Sequence, residues 1–121
     1  MKGLLLSASI SGFLAVAIGA FGAHALKNIF DDKITTFETG NRYHFYHTFA
    51  SFLSAFLFLF FKEKKFLWSG WLFQIGILFF SFSLYTLSIT KISLFGAITP
   101  IGGILFLAGW TTLCYTILKI K

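Results

Sequence analysis

One apolar run, residues 4–26, constrains the fold of this chain more than any other feature. It is 23 residues long and holds no acid, lysine or arginine. At about 1.5 Å per residue, a helix of this length exceeds the roughly 30 Å hydrocarbon core of a bilayer. We therefore expect a transmembrane helix. A cleaved secretory signal is the alternative, because Ala23-His24-Ala25 has the form of a cleavage site, but a signal core is only about 7–15 residues long.

Small residues recur at every fourth position of this run, which places them on one helical face. They are Ser7, Ser11, Ala15, Gly19 and Ala23. A face of this kind lets another helix approach backbone to backbone. We expect it to be filled by the fourth span of the same chain or by a second copy of the chain.

The composition also indicates a membrane domain. Of the 121 residues, 57% are hydrophobic and only 12% are charged, which is too apolar for a water-soluble domain. The net charge of +6 comes from bases in short gaps between apolar runs. We therefore expect attraction to anionic membrane lipid and no nucleic-acid partner. Cys114 is the only cysteine, which excludes an intrachain disulfide and a CxxC redox pair.

Three further apolar segments predict an all-α, polytopic membrane protein with four transmembrane helices in a compact bundle. The spans are residues 4–26, 43–61, 66–90 and 97–119, within a single domain over residues 1–121. Polar residues in the second and third spans repeat at helical spacing, so we expect them to face partner helices rather than lipid.

The fourth span has its own face for close packing. Gly102, Gly109 and Thr116 repeat every seven residues, and Gly103 follows the first of them. Such a repeat favours close contact with another helix or a second copy. We expect Pro100 in the first turn of this span, where its missing N–H costs little.

Residues 27–42 form the one long polar connection. Phe30, Ile34 and Phe37 recur at spacings of four and three, which predicts a short amphipathic helix at the membrane surface between the first two spans. Glu38 and Arg42 lie one helical turn apart, and we expect them to form an ion pair.

The distribution of bases predicts the orientation. With four spans, one side holds both termini and six lysines, and the other side holds four bases. The six are Lys2, Lys62, Lys64, Lys65, Lys119 and Lys121, and the four are Lys27, Lys33, Arg42 and Lys91. This excess predicts a multipass plasma-membrane protein with cytoplasmic N- and C-termini.

The same topology brings the distinctive polar side chains to one layer near the outer surface. The predicted cluster consists of His24, Glu38, Arg42, Tyr43, His44, His47, Tyr85 and Thr99. We expect these groups to satisfy one another's hydrogen bonds and to hold the helices together. The alternative is a cofactor site, in which His24, His44 and His47 bind a metal, or the histidines bind a haem or a quinone.

We find no residue pattern typical of catalysis. The chain has no serine elbow, phosphate-binding glycine loop, paired intramembrane carboxylates or thiol couple. We therefore expect no enzymatic activity and no cofactor. We expect the protein to be a structural or interaction component that affects membrane properties.

Transport of a small ion or solute is the alternative, because intramembrane ionisable groups often mark ion paths. No Asp or Glu lies within a span, which argues against an antiporter of cationic substrates.

Four stretches also match a known family pattern. They are GAFGAHAL at residues 19–26, FETGNRY at 37–43 with Tyr46 and His47, SLY at 83–85, and ITPIGG at 98–103 with Gly109 and Trp110. The chain resembles domain of unknown function family 423, small four-helix membrane proteins with an animal transmembrane relative. The resemblance touches all four spans and implies a multipass membrane protein with no established reaction. One departure is Phe82, where the family pattern has glycine between two serines, which implies a looser helix contact there.

Overall fold

The computed structural model describes residues 1–22, 24, 28 and 31–121. It contains four long helices, which we number in chain order. They are α1 (Lys2–Ala17), which continues as a π-helix (Ile18–Gly22), α2 (Ile34–Phe61), α3 (Lys65–Thr90) and α4 (Leu94–Leu118). All four are long and apolar enough to cross a membrane. The described residues include no strand, so the predicted all-α fold with four spans is confirmed.

The connection between the first two spans differs from the prediction. Asp31–Lys33 forms one turn of 3-10 helix, and α2 begins directly after it at Ile34. Phe37 is buried, and its ring lies 5.4 Å from that of Tyr85 on α3. Because this segment packs on α3, residues 34–42 belong to the second span and not to a separate surface helix. Lys27 and Phe30 lie outside the described residues.

The third helix is the centre of the molecule. It packs against α2 and α4, whereas α1 packs mainly against α2. Half of the α3 span is buried, compared with 22% of the α1 span and 28% of the α4 span. The backbones of α2 and α4 approach each other at few points. The helices therefore follow one another in space in chain order.

The glycine face of α4 lies against α3. A Cβ on Gly102 would collide with the backbone nitrogen of Phe80, and a Cβ on Gly109 would lie 2.6 Å from the Phe73 ring. A Cβ on Gly103 would be 4.0 Å from the nearest atom of Phe80. The two helices therefore cross closely at Gly102 and Gly109, and Gly103 lies at the edge of the contact.

The small-residue face of α1 packs on α2. Ser11 and Ala15 are buried there, and Gly19 lies so close to Asn41 that a Cβ would be 2.5 Å from the amide oxygen. The expectation that the fourth span would fill this face was wrong, because α2 offers the hydrogen-bonding side chains that α1 needs in an apolar environment. Ala23 lies outside the described residues.

Pro100 does not lie in the first turn of its helix. Lys91 takes the left-handed conformation, with φ of 58°, and ends α3. The chain then turns within residues 91–93, so α4 starts at Leu94 and Pro100 is inside it. Because proline has no N–H, the carbonyl of Gly96 lacks its usual helical partner. The predicted start of this span at residue 97 was therefore too late.

Candidate functional site

His44 lies at the centre of the polar residues that the structure brings together. It is fully buried on α2. Its Nδ1 lies 2.9 Å from the hydroxyl of Tyr85 on α3, and its Nε2 lies 3.0 Å from Oγ of Ser11 on α1. One imidazole therefore links three helices.

The hydrogen bonds around His44 have one consistent direction. Thr48 Oγ1 donates to the His44 carbonyl at 2.8 Å, and a carbonyl can only accept. The 2.7 Å contact between Ser11 and Thr48 is therefore donated by Ser11. Because a hydroxyl has a single hydrogen, Ser11 must accept from Nε2–H of His44. His44 is then the neutral tautomer protonated at Nε2, and its Nδ1 accepts from the Tyr85 hydroxyl.

Asn41 completes this set and joins it to the backbone of α1. Its Nδ2 donates to the Tyr85 hydroxyl at 3.1 Å and to the Ala15 carbonyl at 3.0 Å. The Ala15 carbonyl also accepts from the backbone N–H of Ile18, and a carbonyl oxygen has two lone pairs, so it can accept both bonds. We call Asn41, Tyr85, His44, Ser11 and Thr48 the His44 chain.

Two members of the His44 chain are absent from the cluster predicted from the sequence, and a third was given a different role there. Asn41 and Thr48 were not selected, although they lie three residues before and four residues after His44, on the same face of α2. Ser11 was assigned only to packing. The helical spacing of Asn41 and Thr48 from His44 is the signal that would have identified both residues. Ser11 lies on another helix, α1, so this spacing could not identify it.

His47, one turn further along α2, points toward α4. Trp110 Nε1 donates to its Nε2 at 3.1 Å, and its Nδ1 lies 2.9 Å from the Tyr43 carbonyl. An indole only donates and a carbonyl only accepts, so His47 is the neutral tautomer protonated at Nδ1. Its ring stacks on Phe106, with centroids 3.5 Å apart. His44 and His47 therefore serve different helix contacts.

Among the described residues, Thr99 has no hydrogen bond to either histidine, whereas the Tyr43 ring stacks with the His47 ring, with centroids 6.0 Å apart. Thr99 Oγ1 lies 2.7 Å from Oγ of Ser83, between α3 and α4. The Tyr43 ring packs on Phe80, at 4.7 Å between centroids, and its side chain is partly exposed. The predicted polar cluster is therefore divided into separate contacts.

Three members of the predicted cluster lie outside it altogether. His24, Glu38 and Arg42 are exposed. Arg42 donates to Thr39 Oγ1 at 3.3 Å, and the described residues contain no ion pair between Glu38 and Arg42, so this predicted pair was wrong. Competition from the polar surroundings leaves an exposed pair of this kind with little net attraction.

The three histidines do not form the alternative metal site. Within residues 1–22, 24, 28 and 31–121, no group of three or more His, Cys, Asp and Glu side chains is placed to hold a metal ion. His44 and His47 use both ring nitrogens in bonds to the protein. The same bonds leave no free imidazole nitrogen on either residue for a haem iron.

A second polar contact lies nearer the middle of α3, around Gln74. Ser7 of α1 donates to its Oε1 at 2.8 Å, and its Nε2 donates to Oγ of Ser51 at 2.9 Å. Ser51 in turn donates to the His47 carbonyl at 2.8 Å. This contact, like the His44 chain, connects α1 with both α2 and α3.

Two lateral clefts adjoin these polar residues. One, of about 200 Å³, lies between α1 and α3 and is lined by apolar side chains and by Ser7, Ser11, His44 and Gln74. We call it the α1–α3 cleft. The other, of about 460 Å³, lies between α2 and α4 over an aromatic surface that includes His47 and Trp110. In both cases the backbones of the two helices approach each other at few points.

Four apolar spans joined by buried polar side chains define a multipass α-helical membrane protein. The chain belongs to the family described as protein of unknown function (DUF423), whose model matches residues 18–103. This confirms the family to which the sequence motifs pointed.

Similar proteins occur in several bacteria. The UPF0382 membrane protein YwdK of Bacillus subtilis is 41% identical, with 98% of both chains covered. A UPF0382 membrane protein of Haemophilus influenzae is 44% identical over 93% of this chain and 91% of its own. The UPF0382 inner membrane protein YgdD of Escherichia coli is 37% identical over 98% of this chain and 91% of its own. These names give a membrane location and state no activity. No solved structure matches the chain.

Proposed function

We propose that the protein is a non-enzymatic structural or interaction component of the membrane, whose buried polar residues hold its helices together. One observation carries this proposal. Among the described buried side-chain nitrogen and oxygen atoms, only Ser81 Oγ lacks a hydrogen-bond partner. Polar groups in hydrocarbon are costly when unpaired, so side chains with partners inside the protein are what a structural role requires.

The titratable residues support the same proposal. His44 and His47 have both ring nitrogens in bonds to the protein. Asp32, Glu38 and Glu63 are exposed and lie near the ends of the spans. A proton relay or a general base needs an ionisable group whose proton can reach substrate or water, and the ring nitrogens of both histidines are bonded within the protein instead.

The surface indicates the kind of partner. The α1 and α4 spans are less than one-third buried, and their exposed side chains are mainly apolar. The proposed partners are therefore membrane lipid and the apolar helices of other membrane proteins. Along the described parts of α1 and α4, the small-residue faces already contact helices of the same chain, so a homo-oligomer would use other surfaces.

The proposed location is the plasma membrane, with both termini in the cytoplasm. Lys91 Nζ lies 3.6 Å from Asp32 Oδ1, so the segments before α2 and after α3 share one side. The greater number of lysines on the opposite side supports a cytoplasmic position for that side.

A membrane-impermeant maleimide is expected to label Ser93→Cys, but not Glu63→Cys, in intact cells of a Cys114→Ser background. The reverse pattern would contradict this orientation.

Ion flux tests the proposed structural role against transport. The purified full chain is reconstituted into lipid vesicles, and proton, sodium and potassium flux is compared with that of protein-free vesicles. We expect no difference, because the polar side chains are engaged within the protein. The variant Tyr85→Phe is compared with the natural protein. It is expected to lower the free energy of unfolding by about 1 kcal/mol without changing ion flux. Flux above background that is lost in Tyr85→Phe would contradict the proposal and favour transport.

A further inference from the structure

Gln74 has a donor that the described protein does not use. Ser51 gives its single hydroxyl hydrogen to a backbone carbonyl, so it must accept from Nε2 of Gln74, which fixes the orientation of the amide. The amide oxygen accepts from Ser7. A carboxamide has two N–H groups, and the second has no partner among the described residues.

This unused N–H belongs to a residue near the middle of the membrane. Gln74 is only 7% exposed and lines the α1–α3 cleft. The centre of α3 (Lys65–Thr90) lies between residues 77 and 78, so Gln74 is about 5 Å from the midplane at 1.5 Å per residue. No bulk water reaches this depth, and an unpaired N–H costs free energy there. An acceptor that enters the cleft would remove that cost.

The remaining surface of the cleft is mainly apolar. Leu14 comes from α1 and Trp71 from α3, while Ile10 and Leu78 lie at the rim, each more than half exposed. The other large polar group, His44, has both nitrogens occupied. The site therefore fits a molecule that is largely apolar, enters from the lipid and carries an acceptor without a donor.

We propose that the α1–α3 cleft binds a lipid-soluble quinone, with one ring carbonyl accepting the free N–H of Gln74. Lipid acyl chains have no acceptor. The ester carbonyls of phospholipids lie near the edge of the hydrocarbon core, roughly 15 Å from the midplane. A quinone ring is flat and apolar, has carbonyl acceptors and no donor, and its isoprenoid tail can leave past Ile10 and Leu78 into the membrane. This inference concerns binding alone and does not depend on the proposed structural role.

The probe for this inference is a benzoquinone with two isoprene units, titrated into the purified full chain in lipid nanodiscs. Quinones quench tryptophan fluorescence, and Trp71 lines the cleft. We expect saturable quenching that is largely lost in Trp71→Phe and kept in Trp110→Phe. Gln74→Leu is expected to weaken binding about tenfold. Ser51→Ala removes the internal partner of the amide but keeps its N–H, so binding is expected to persist.

Several outcomes would overturn the inference. They are the absence of saturable quenching in the natural protein, equal affinity in Gln74→Leu, and unchanged quenching in Trp71→Phe. A benzene ring with the same isoprenoid chain but no carbonyl is the control ligand. If it binds as tightly as the quinone, the cleft is an acyl-chain site and the carbonyl contact does not exist.

A second variant keeps the test valid if Gln74→Leu does not fold, which thermal unfolding would reveal. Leu78→Phe narrows the rim of the cleft without removing a polar contact. It is expected to weaken quinone binding while the unfolding temperature stays close to that of the natural protein. Unchanged affinity in Leu78→Phe would place the ligand elsewhere and overturn the inference.

Discussion

Two histidines one turn apart on α2 are held in opposite tautomers. His44 donates from Nε2 because the hydroxyl of Ser11 has no hydrogen left for it. His47 donates from Nδ1, because Trp110 can only donate to its Nε2. At about 100° per residue, positions 44 and 47 are separated by roughly 60° around the helix. That rotation is enough to direct one ring to α1 and α3 and the other to α4.

Nitrogen NMR of the imidazoles tests this assignment. In protein labelled with nitrogen-15 at histidine, we expect the Nε2–H tautomer for His44 and the Nδ1–H tautomer for His47. Trp110→Phe is the matched control, since it should alter the spectrum of His47 and leave that of His44 unchanged. Finding the same tautomer at both positions would contradict the hydrogen-bond directions described here.

Residue patterns predicted burial better than partners. His44, His47 and Tyr85 are buried, as expected for polar residues within apolar spans. Their division among different contacts depends on the rotation of each helix about its axis, which depth in the membrane does not determine. The proposed pair of Glu38 and Arg42 had suitable spacing, yet both residues are exposed. The spacing of residues along a helix therefore indicated which of them lie on one face, but not which hydrogen bonds or ion pairs they form.

Among the helices, α1 is held by polar contacts at three successive turns. Its Ser7, Ser11 and the Ala15 carbonyl all hydrogen-bond to α2 or α3. Small residues at this spacing predicted a close contact, because they allow any helix to approach. The spacing did not identify α2 as the partner, since that choice depends on Asn41, His44 and Thr48, whose orientation requires the three-dimensional structure.

The contact between α3 and α4 can be tested by substituting two neighbouring glycines, Gly102 and Gly103. Gly102→Ala places a methyl group against the backbone of Phe80, which cannot move without separating the helices. We expect a loss of about 1–3 kcal/mol in the free energy of unfolding, typical of overpacking. Gly103→Ala meets only ordinary contact distance and should leave stability unchanged or slightly raised. Equal effects at both positions, measured by unfolding in detergent, would contradict the described crossing.

At the scale of the whole molecule, short connections determine which helices are neighbours. Three residues join α2 to α3 and three join α3 to α4, so these pairs must lie side by side and antiparallel. The four spans were predictable because each is a long apolar run between charged or turn residues. The clefts between α1 and α3 and between α2 and α4 were not predictable. They depend on the angles at which the helices cross.

The central claim of this account is that the His44 chain acts as one unit that joins α1, α2 and α3. Tyr85 and Ser11 do not bond to each other but share His44 as a partner. Residues with a common partner are expected to be energetically coupled. Ser69, which donates to the Gly109 carbonyl at 2.8 Å, lies sixteen residues from Tyr85 along α3 and serves as the control.

A double-mutant cycle on the free energy of unfolding in lipid nanodiscs tests this claim most directly. Tyr85→Phe and Ser11→Ala together are expected to deviate from additivity by at least about 0.5 kcal/mol. Tyr85→Phe and Ser69→Ala should be additive within about 0.3–0.5 kcal/mol. If Tyr85→Phe and Ser11→Ala are as additive as the control pair, the hydrogen bonds around His44 are independent and the claim is wrong.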